Sequence, residues 1–163
     1  MDKNHTLNDV ITANEILDAI KHLKNNKSSS IDMISNEMLK NGTHFLLNSL
    51  VKLFNLIFKT GKFPAIWNTS LLVLLHKKGD KLDPTNYKGI SITSNLGKLF
   101  NRIIHNRLYN FIYQNNLVSE NQIGFKKNSR TSDHIFTLKS VVDHYKQKGK
   151  KVYAAFIDLK KGF

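Results

Sequence analysis

The sequence contains no cysteine, which excludes disulfide bridges and zinc sites built from thiolates. Long apolar runs are also missing: Leu71–Leu75 and Val152–Ile157 are both far shorter than the about 20 residues of a membrane span. The first residues, Met1–His5, lack the apolar stretch of a signal peptide. The sequence therefore predicts neither a membrane-spanning segment nor a secretory leader.

Short catalytic signatures are absent as well. The chain carries no Gly-rich Walker loop, no serine elbow and no dinucleotide fingerprint. The histidines have no metal-like spacing, as the positions of His76, His105, His134 and His144 show. The function must therefore be inferred from other patterns.

Acidic residues are scarce: 12 Asp and Glu stand against 25 Lys and Arg, and the net charge is +13. The electric field of such a positive charge attracts polyanions, and the candidates are nucleic acid, an acidic partner protein or a membrane surface. Nearly all the basic residues are lysines and asparagine is also abundant. An A-rich coding sequence is therefore an alternative explanation, and the charge alone does not identify the partner.

The length of 163 residues fits about one domain. Apolar spacing and capping residues predict five main helices. The first follows a capping box at Thr12 and Glu15, and the second runs from Ser35 to Lys40. The third, His44–Thr60, should be mostly buried. The fourth follows Ser94, with Leu99, Ile103, Leu108 and Phe111 on its inner side. The fifth opens at Thr131 or Ser132 and runs to about Gln147, with Ile135, Leu138, Val142 and Tyr145 inward.

Three segments are typical of strands. Leu71–His76 is a short apolar run and is expected to be buried, and Ile90–Thr93 alternates in polarity. The third, Val152–Ile157, lies close to the end of the chain, where no later segment supplies neighbouring strands. These elements predict an α+β fold, and the position of the third strand suggests a truncated domain.

Asp158 follows the third predicted strand directly. A carboxylate at the tip of a buried strand has a fixed direction and one open side, which suits a magnesium ligand because Mg²⁺ prefers oxygen donors and retains waters. The alternative is an Asp that caps the next helix or pairs with Lys160, and the local pattern alone favours this alternative.

Two further segments combine basic residues with glycine or aromatic residues. The loop Gln122–Thr131 contains Lys126, Lys127 and Arg130 before a helix start, so it could bind phosphate through charge and helix-end amides; a solvated basic loop is the alternative. Aromatic and basic residues also alternate over Asn86–Ile92 and Gly97–Phe100, as they do on nucleic-acid surfaces.

Eight short motifs follow one another along nearly the whole chain. They are Glu15–Lys24, Asn36–Lys40, Phe63-Pro64 with Trp67, His76–Asp80, Asn86–Ser91, Gly97–Phe100 followed by Arg107-Leu108, Gln122–Phe125 with Arg130, Thr131 and Asp133, and Phe156–Phe163. Together they resemble the N-terminal part of reverse transcriptases from non-LTR retrotransposons, the long interspersed elements, especially Jockey-like ones. No single motif is decisive, but their order makes chance a poor explanation.

The resemblance implies the right-hand fold of polymerases. On this basis residues 12–150 are a fingers region and residues 151–163 the first palm strand; the polar N-terminus separately predicts a frayed segment over residues 1–11. The implied partners are an RNA template, a DNA primer, a deoxynucleoside triphosphate and the missing C-terminal palm and thumb, with no membrane. The family also implies action in the nucleus.

The resemblance assigns a catalytic, Mg²⁺-binding role to Asp158. Two more aspartates belong to a later Tyr/Phe-Ala-Asp-Asp motif, which this sequence does not contain. Two-metal phosphoryl transfer needs carboxylates that hold both ions, so we expect the chain alone to be inactive. A basic RNA- or DNA-binding module without catalysis, or a host scaffold that binds proteins, remains an alternative function.

The family also indicates which residues contact phosphates. Lys88, Lys98 and Arg102 match a region that faces the incoming nucleotide or the template, and Arg130 matches a basic loop. Tyr87 and Phe125 either stack on bases or pack under their loops, and packing is favoured. The chain departs from the family at Ser30, where glycine is frequent, at Lys88-Gly89, where Arg and Pro are common, and at Gly162, where alanine is usual.

Overall fold

A computed structural model describes residues 5–119 and 121–158 of the chain. It divides into two compact units, of which the first ends at Asn115 and the second begins at Asn116. This division falls within the region predicted as a single fingers segment. Among the described residues, no helix is long and apolar enough to cross a membrane.

Helices dominate the first unit and flank one small sheet. The helices are α1 (His5–Asn8), α2 (Ala13–Lys21), α3 (Asn36–Asn41), α4 (Thr43–Thr60), α5 (Ala65–Asn68) and α6 (Asn95–Gln114). The strands are β1 (Leu71–His76) and β2 (Tyr87–Ile92), and a short 3-10 helix (Pro84–Asn86) precedes β2. The second unit contains α7 (Thr131–Gln147). Helices with one antiparallel pair confirm the α+β class.

Local capping chemistry sets the helix ends much as the sequence predicts. The Thr12 hydroxyl accepts from the Glu15 amide at 3.3 Å, while the Glu15 carboxylate accepts from the Thr12 amide at 2.9 Å. Ser35 caps α3 by accepting from the Met38 amide at 3.2 Å. Gly61 ends α4 with a φ of 66°, a left-handed conformation that glycine adopts without steric cost.

The core of the first unit lies between α2, α4 and α6. Its fully buried residues include Ile16, Phe54 and Leu99. The rings of Phe54 and Phe100 meet edge to face with centroids 5.4 Å apart, and Trp67 lies 6.2 Å from Phe54. Such aromatic contacts add stability beyond the area that the rings bury.

Three predictions for the first unit are wrong in part. Residues 5–11, expected to be frayed, form α1 and an ordered connection in which Ile11 is buried and its amide donates to Asn55 Oδ1 at 2.6 Å. Helix α4 buries only one stripe, so Phe45 is 83% exposed. In α6 Leu108 is exposed, because its position on the helix turns it away from Leu99 and Ile103.

Strands β1 and β2 form an antiparallel hairpin, with Leu71 opposite Ile92 and His76 opposite Tyr87. The prediction of two strands is confirmed, but the expectation that β1 is buried is wrong. All five apolar residues of β1, Leu71–Leu75, are exposed. A two-stranded ribbon covers neither of its own faces, and no further strand pairs with it in the part of the chain that the structure describes.

The second unit differs more from the expectations. Helix α7 has nearly the predicted bounds, but Ile135, Leu138, Val142 and Tyr145 are exposed rather than inward. Residues 152–157 form no strand, and Tyr153, Phe156 and Ile157 are exposed. A strand needs a neighbour to satisfy its backbone groups, and over the described residues 121–158 this unit contains no other strand.

Candidate nucleic-acid interface

The β1–β2 hairpin carries Lys88 close to its closed end. Lys88 lies opposite Leu75 and is exposed. The preceding residue, Tyr87, packs its ring against His76 with centroids 5.2 Å apart, and its hydroxyl donates to the Lys81 carbonyl at 2.9 Å. The favoured interpretation of Tyr87 as a packing residue is therefore consistent with the structure.

Glycine follows Lys88 at a position where the resemblance leads us to expect proline. A Cβ added at Gly89 would lie 2.9 Å from Leu72 Cδ1, so the missing side chain leaves room for this leucine on the neighbouring strand. Ser30, the other early departure, is buried, and its hydroxyl donates to the Ile92 carbonyl at 2.9 Å. Both departures thus have a local structural role in or beside the hairpin.

The far end of β2 connects to α6 through two buried polar residues. The Ser94 hydroxyl caps α6 by accepting from the Gly97 amide at 3.2 Å. The Asn95 side-chain amide donates to the Ile34 carbonyl at 2.8 Å. These bonds cap α6 and join its start to the segment before α3.

Lys98 and Arg102 lie one helical turn apart on α6, and both side chains are exposed. Lys98 Nζ is 3.4 Å from Asn95 Oδ1. Beside Lys98 is a cavity of about 260 Å³, whose lining includes Trp67, Gly97 and Asn101. The structure therefore brings Lys88, Lys98 and Arg102 into one unit, on two successive elements joined by residues 93 and 94.

The remaining predicted phosphate contacts lie in the second unit. Lys126, Lys127 and Arg130 belong to the loop before α7, in which Lys127 and Arg130 are exposed and Lys126 is half-buried. The Arg130 amide donates to Asp133 Oδ2 at 2.7 Å, so Arg130 is the N-cap residue of α7 through its backbone.

Phe125 contradicts the favoured expectation of packing. Its ring is 95% exposed and its backbone has a positive φ of 61°, which phenylalanine seldom adopts. Asp158 is also exposed and lies in a segment that is neither helix nor strand. The alternative role of Asp158 involves Lys160, which lies outside the described residues.

The sequence alone did not indicate the role of the basic residue Arg107. Its guanidinium binds both carboxylate oxygens of Glu15, at 2.6 and 2.9 Å, and also donates to the Leu7, Asp9 and Val10 carbonyls. Its charge is thus committed within the fold. The hydrogen bond from Arg107 is the main reason why the pKa of Glu15 lies below its ordinary value.

Metal-ligating side chains do not cluster in the described residues. Among residues 5–119 and 121–158, no group of three or more His, Asp or Glu side chains could hold an ion. Asp158 can supply one carboxylate ligand, and Mg²⁺ sites in proteins often use one or two carboxylates together with substrate phosphates.

Comparison with known protein families identifies the family to which the chain belongs. Residues 75–163, more than half of the chain, match the family described as reverse transcriptase (RNA-dependent DNA polymerase). The chain belongs to the reverse transcriptase family. The reverse-transcriptase match begins in β1 and extends over β2, α6, α7 and Asp158, so it contains every predicted site residue.

Individual relatives extend the similarity to the helices before β1. A Drosophila melanogaster protein named as a probable RNA-directed DNA polymerase from transposon BS is 31% identical over 94% of this chain. The RNA-directed DNA polymerase from mobile element jockey, from the same species, is 24% identical over 94% of the chain. The chain spans 17% of the length of each of these relatives. The predicted similarity to retrotransposon reverse transcriptases is confirmed.

Proposed function

We propose that this chain provides the fingers, and with residues 151–163 the first palm segment, of a right-hand RNA-directed DNA polymerase from a retrotransposon. The parent enzyme would extend a primer 3′ hydroxyl with deoxynucleotides on an RNA template. The observation that carries this proposal is the family match over residues 75–163. This single match includes strand β2 with Lys88, helix α6 and Asp158.

Lys88, Lys98 and Arg102 would bind phosphates of the template or of the incoming nucleotide. All three are exposed, and α6 contains no acidic residue that could neutralise Lys98 or Arg102 along the helix. Lysine offers a point charge, whereas arginine offers a planar fork that matches a phosphate. Lys126, Lys127 and Arg130 would add a second group of phosphate contacts from the loop before α7.

Asp158 would hold one of the catalytic Mg²⁺ ions in the complete active site. A bound Mg²⁺ there would polarise the triphosphate and lower the pKa of the primer hydroxyl. The exposed carboxylate fits this task because it has an open side towards solvent. One carboxylate does not fix two ions, so the remaining ligands would come from the later Tyr/Phe-Ala-Asp-Asp motif of the family.

Binding at several salt concentrations tests the phosphate contacts. We expect the 163-residue chain to bind an RNA–DNA primer-template, with affinity that falls steeply as salt rises. Lys88→Gln and Lys98→Gln should each weaken binding and reduce the salt slope by about one phosphate contact. Lys52→Gln, an exposed lysine on α4 outside these motifs, is the matched control. A salt slope near zero would contradict the proposal.

Primer extension and sequencing of the locus test the catalytic part. The purified chain should show no Mg²⁺-dependent extension, and robust extension would contradict the assignment of a single catalytic aspartate. Beyond the codon for Phe163, we expect the reading frame to reach a Tyr/Phe-Ala-Asp-Asp motif. An immediate stop codon would instead favour the second candidate function, a non-catalytic RNA- or DNA-binding module.

A further inference from the structure

Lys98 and Arg102 form a basic stripe along one face of α6, and aromatic side chains continue this stripe towards the C-terminal end of the helix. Beyond Arg102, the residues on this line are His105, Tyr109 and Tyr113, spaced by three or four positions. The His105 and Tyr109 rings lie 6.0 Å apart, and the Tyr109 and Tyr113 rings lie 4.2 Å apart with an angle of 34° between their planes. Residues with this spacing share one face of a helix.

This face points away from the core of the first unit. Leu99 and Ile103, on the other side of α6, are buried, whereas Arg102 and His105 are exposed. Tyr109 and Tyr113 are half-buried, and they partly cover each other. Successive residues turn by about 100° around a helix, so Leu99 and Ile103 lie about 100° around α6 from the adjacent residues Lys98 and Arg102.

The charge on this face complements a polyanion. None of the 20 residues of α6 is acidic, and Arg107 is held by Glu15 on the inner side of the helix. The hydrogen bond with Tyr109 raises the pKa of Tyr113, so this ring carries no negative charge at neutral pH. The stripe therefore joins cations at one end to a close pair of tyrosine rings at the other.

We propose that this face of α6 binds single-stranded nucleic acid, with phosphates at Lys98 and Arg102 and an unpaired base stacked on the Tyr109–Tyr113 pair. The inference rests on the proposed function, because it extends the same phosphate contacts. Arg102 and Tyr109 are separated by about 10 Å along the helix axis, so one strand can contact both. Aromatic faces bind unpaired bases, whereas the bases of a duplex are stacked on each other and unavailable.

Fluorescence anisotropy with the full chain tests this inference. The probes are a labelled 15-nucleotide RNA without secondary structure and the corresponding duplex. The double variant Tyr109→Leu/Tyr113→Leu should lose about tenfold in affinity for the single strand, with an unchanged salt slope. Arg102→Gln should instead reduce the slope by about 0.7. Tyr153→Leu, which removes an exposed tyrosine outside α6, is the control.

Two further measurements keep the inference testable if the double variant unfolds. Tyr109→Phe/Tyr113→Phe retains both rings and should bind the single strand as the wild type does. Ultraviolet cross-linking of the wild-type chain to the single strand should give an adduct at Tyr109 or Tyr113 in mass spectrometry, and adducts only elsewhere would overturn the inference.

The failures of the two proposals are distinguishable. If Arg102→Gln weakens binding while the leucine variant binds normally, the stacking inference is overturned and the phosphate contacts stand. Equal affinity for the single strand and the duplex also overturns it. If the wild-type chain binds neither probe, the proposed function itself fails. If the leucine variant alters self-association rather than RNA binding, the tyrosine pair is a protein contact and the inference is overturned.

Discussion

Arg107 and Glu15 form a two-pronged ion pair between helices α6 and α2, with Nε to Oε1 at 2.6 Å and Nη2 to Oε2 at 2.9 Å. The same guanidinium lies 5.5 Å from the centre of the Phe58 ring on α4. Glu15 is also the residue that closes the capping box of α2. One arginine therefore ties three helices and the segment before α2 together.

Removal of this guanidinium should destabilise the first unit. We expect Arg107→Ala to lower the free energy of unfolding by about 2–3 kcal/mol, because Glu15 and several backbone carbonyls lose their donor. Urea unfolding followed by far-UV circular dichroism measures this loss. Arg102→Ala, on the exposed face of the same helix, should change stability by less than about 0.5 kcal/mol. Equal effects of the two variants would contradict the structural role of Arg107.

The same ion pair predicts how stability depends on pH. Because the pKa of Glu15 lies below its ordinary value of 4.5 in the folded state, the folded chain favours the charged carboxylate. This stabilisation is present above pH 4.5 and is lost as pH falls through the lower, folded-state pKa. Glu15→Gln should therefore be less stable than the wild type at pH 7. The difference in stability between the two should shrink as the pH falls below 4.5.

Urea midpoints measured between neutral and strongly acidic pH check this expectation. Asp143→Asn provides a control that removes one negative charge from an exposed position on α7. A difference between wild type and Glu15→Gln that stays constant over the whole range would show that the carboxylate charge is not what stabilises the fold.

The sequence predicted those features of the fold that depend on neighbouring residues. Thr12 with Glu15, Ser35, and Gly61 specify helix ends through bonds within one or two turns, and the structure has these bonds. The Arg107–Glu15 pair joins residues 92 positions apart. No local pattern encodes such a pair, so the sequence did not reveal the structural role of Arg107.

Burial was less predictable than secondary structure. Apolar runs such as Leu71–Leu75 and the α7 stripe predict a strand and a helix, but burial requires a second surface, which a local pattern does not specify. The segment Val152–Ile157 has strong strand propensity and forms no strand, because pairing needs a neighbouring strand. For the candidate site, the motifs selected the residues, and the structure added their grouping into two units.

Phe54 is expected to be the most sensitive apolar residue of the core. It is fully buried and contacts the rings of both Trp67 and Phe100, so Phe54→Ala should cost about 3–5 kcal/mol and leave a cavity. Trp67 is the only tryptophan, so its fluorescence reports the change directly. Phe45→Ala, at an exposed position on the same helix, should leave both stability and emission nearly unchanged. A similar loss for both variants would contradict the assigned core.

The exposed hairpin predicts that the isolated chain associates with itself. Strand β1 presents apolar side chains on both faces and an unpaired edge over the described residues, and such an edge can pair with a second molecule. Leu74→Thr keeps a residue with high strand propensity while it removes an exposed apolar side chain. We expect this variant to show less self-association in sedimentation velocity, with a change in stability of less than about 1 kcal/mol. Leu82→Thr makes the same chemical change in the loop between the strands and should not alter association. If the two variants associate equally, the exposed strand is not the surface through which the chains meet.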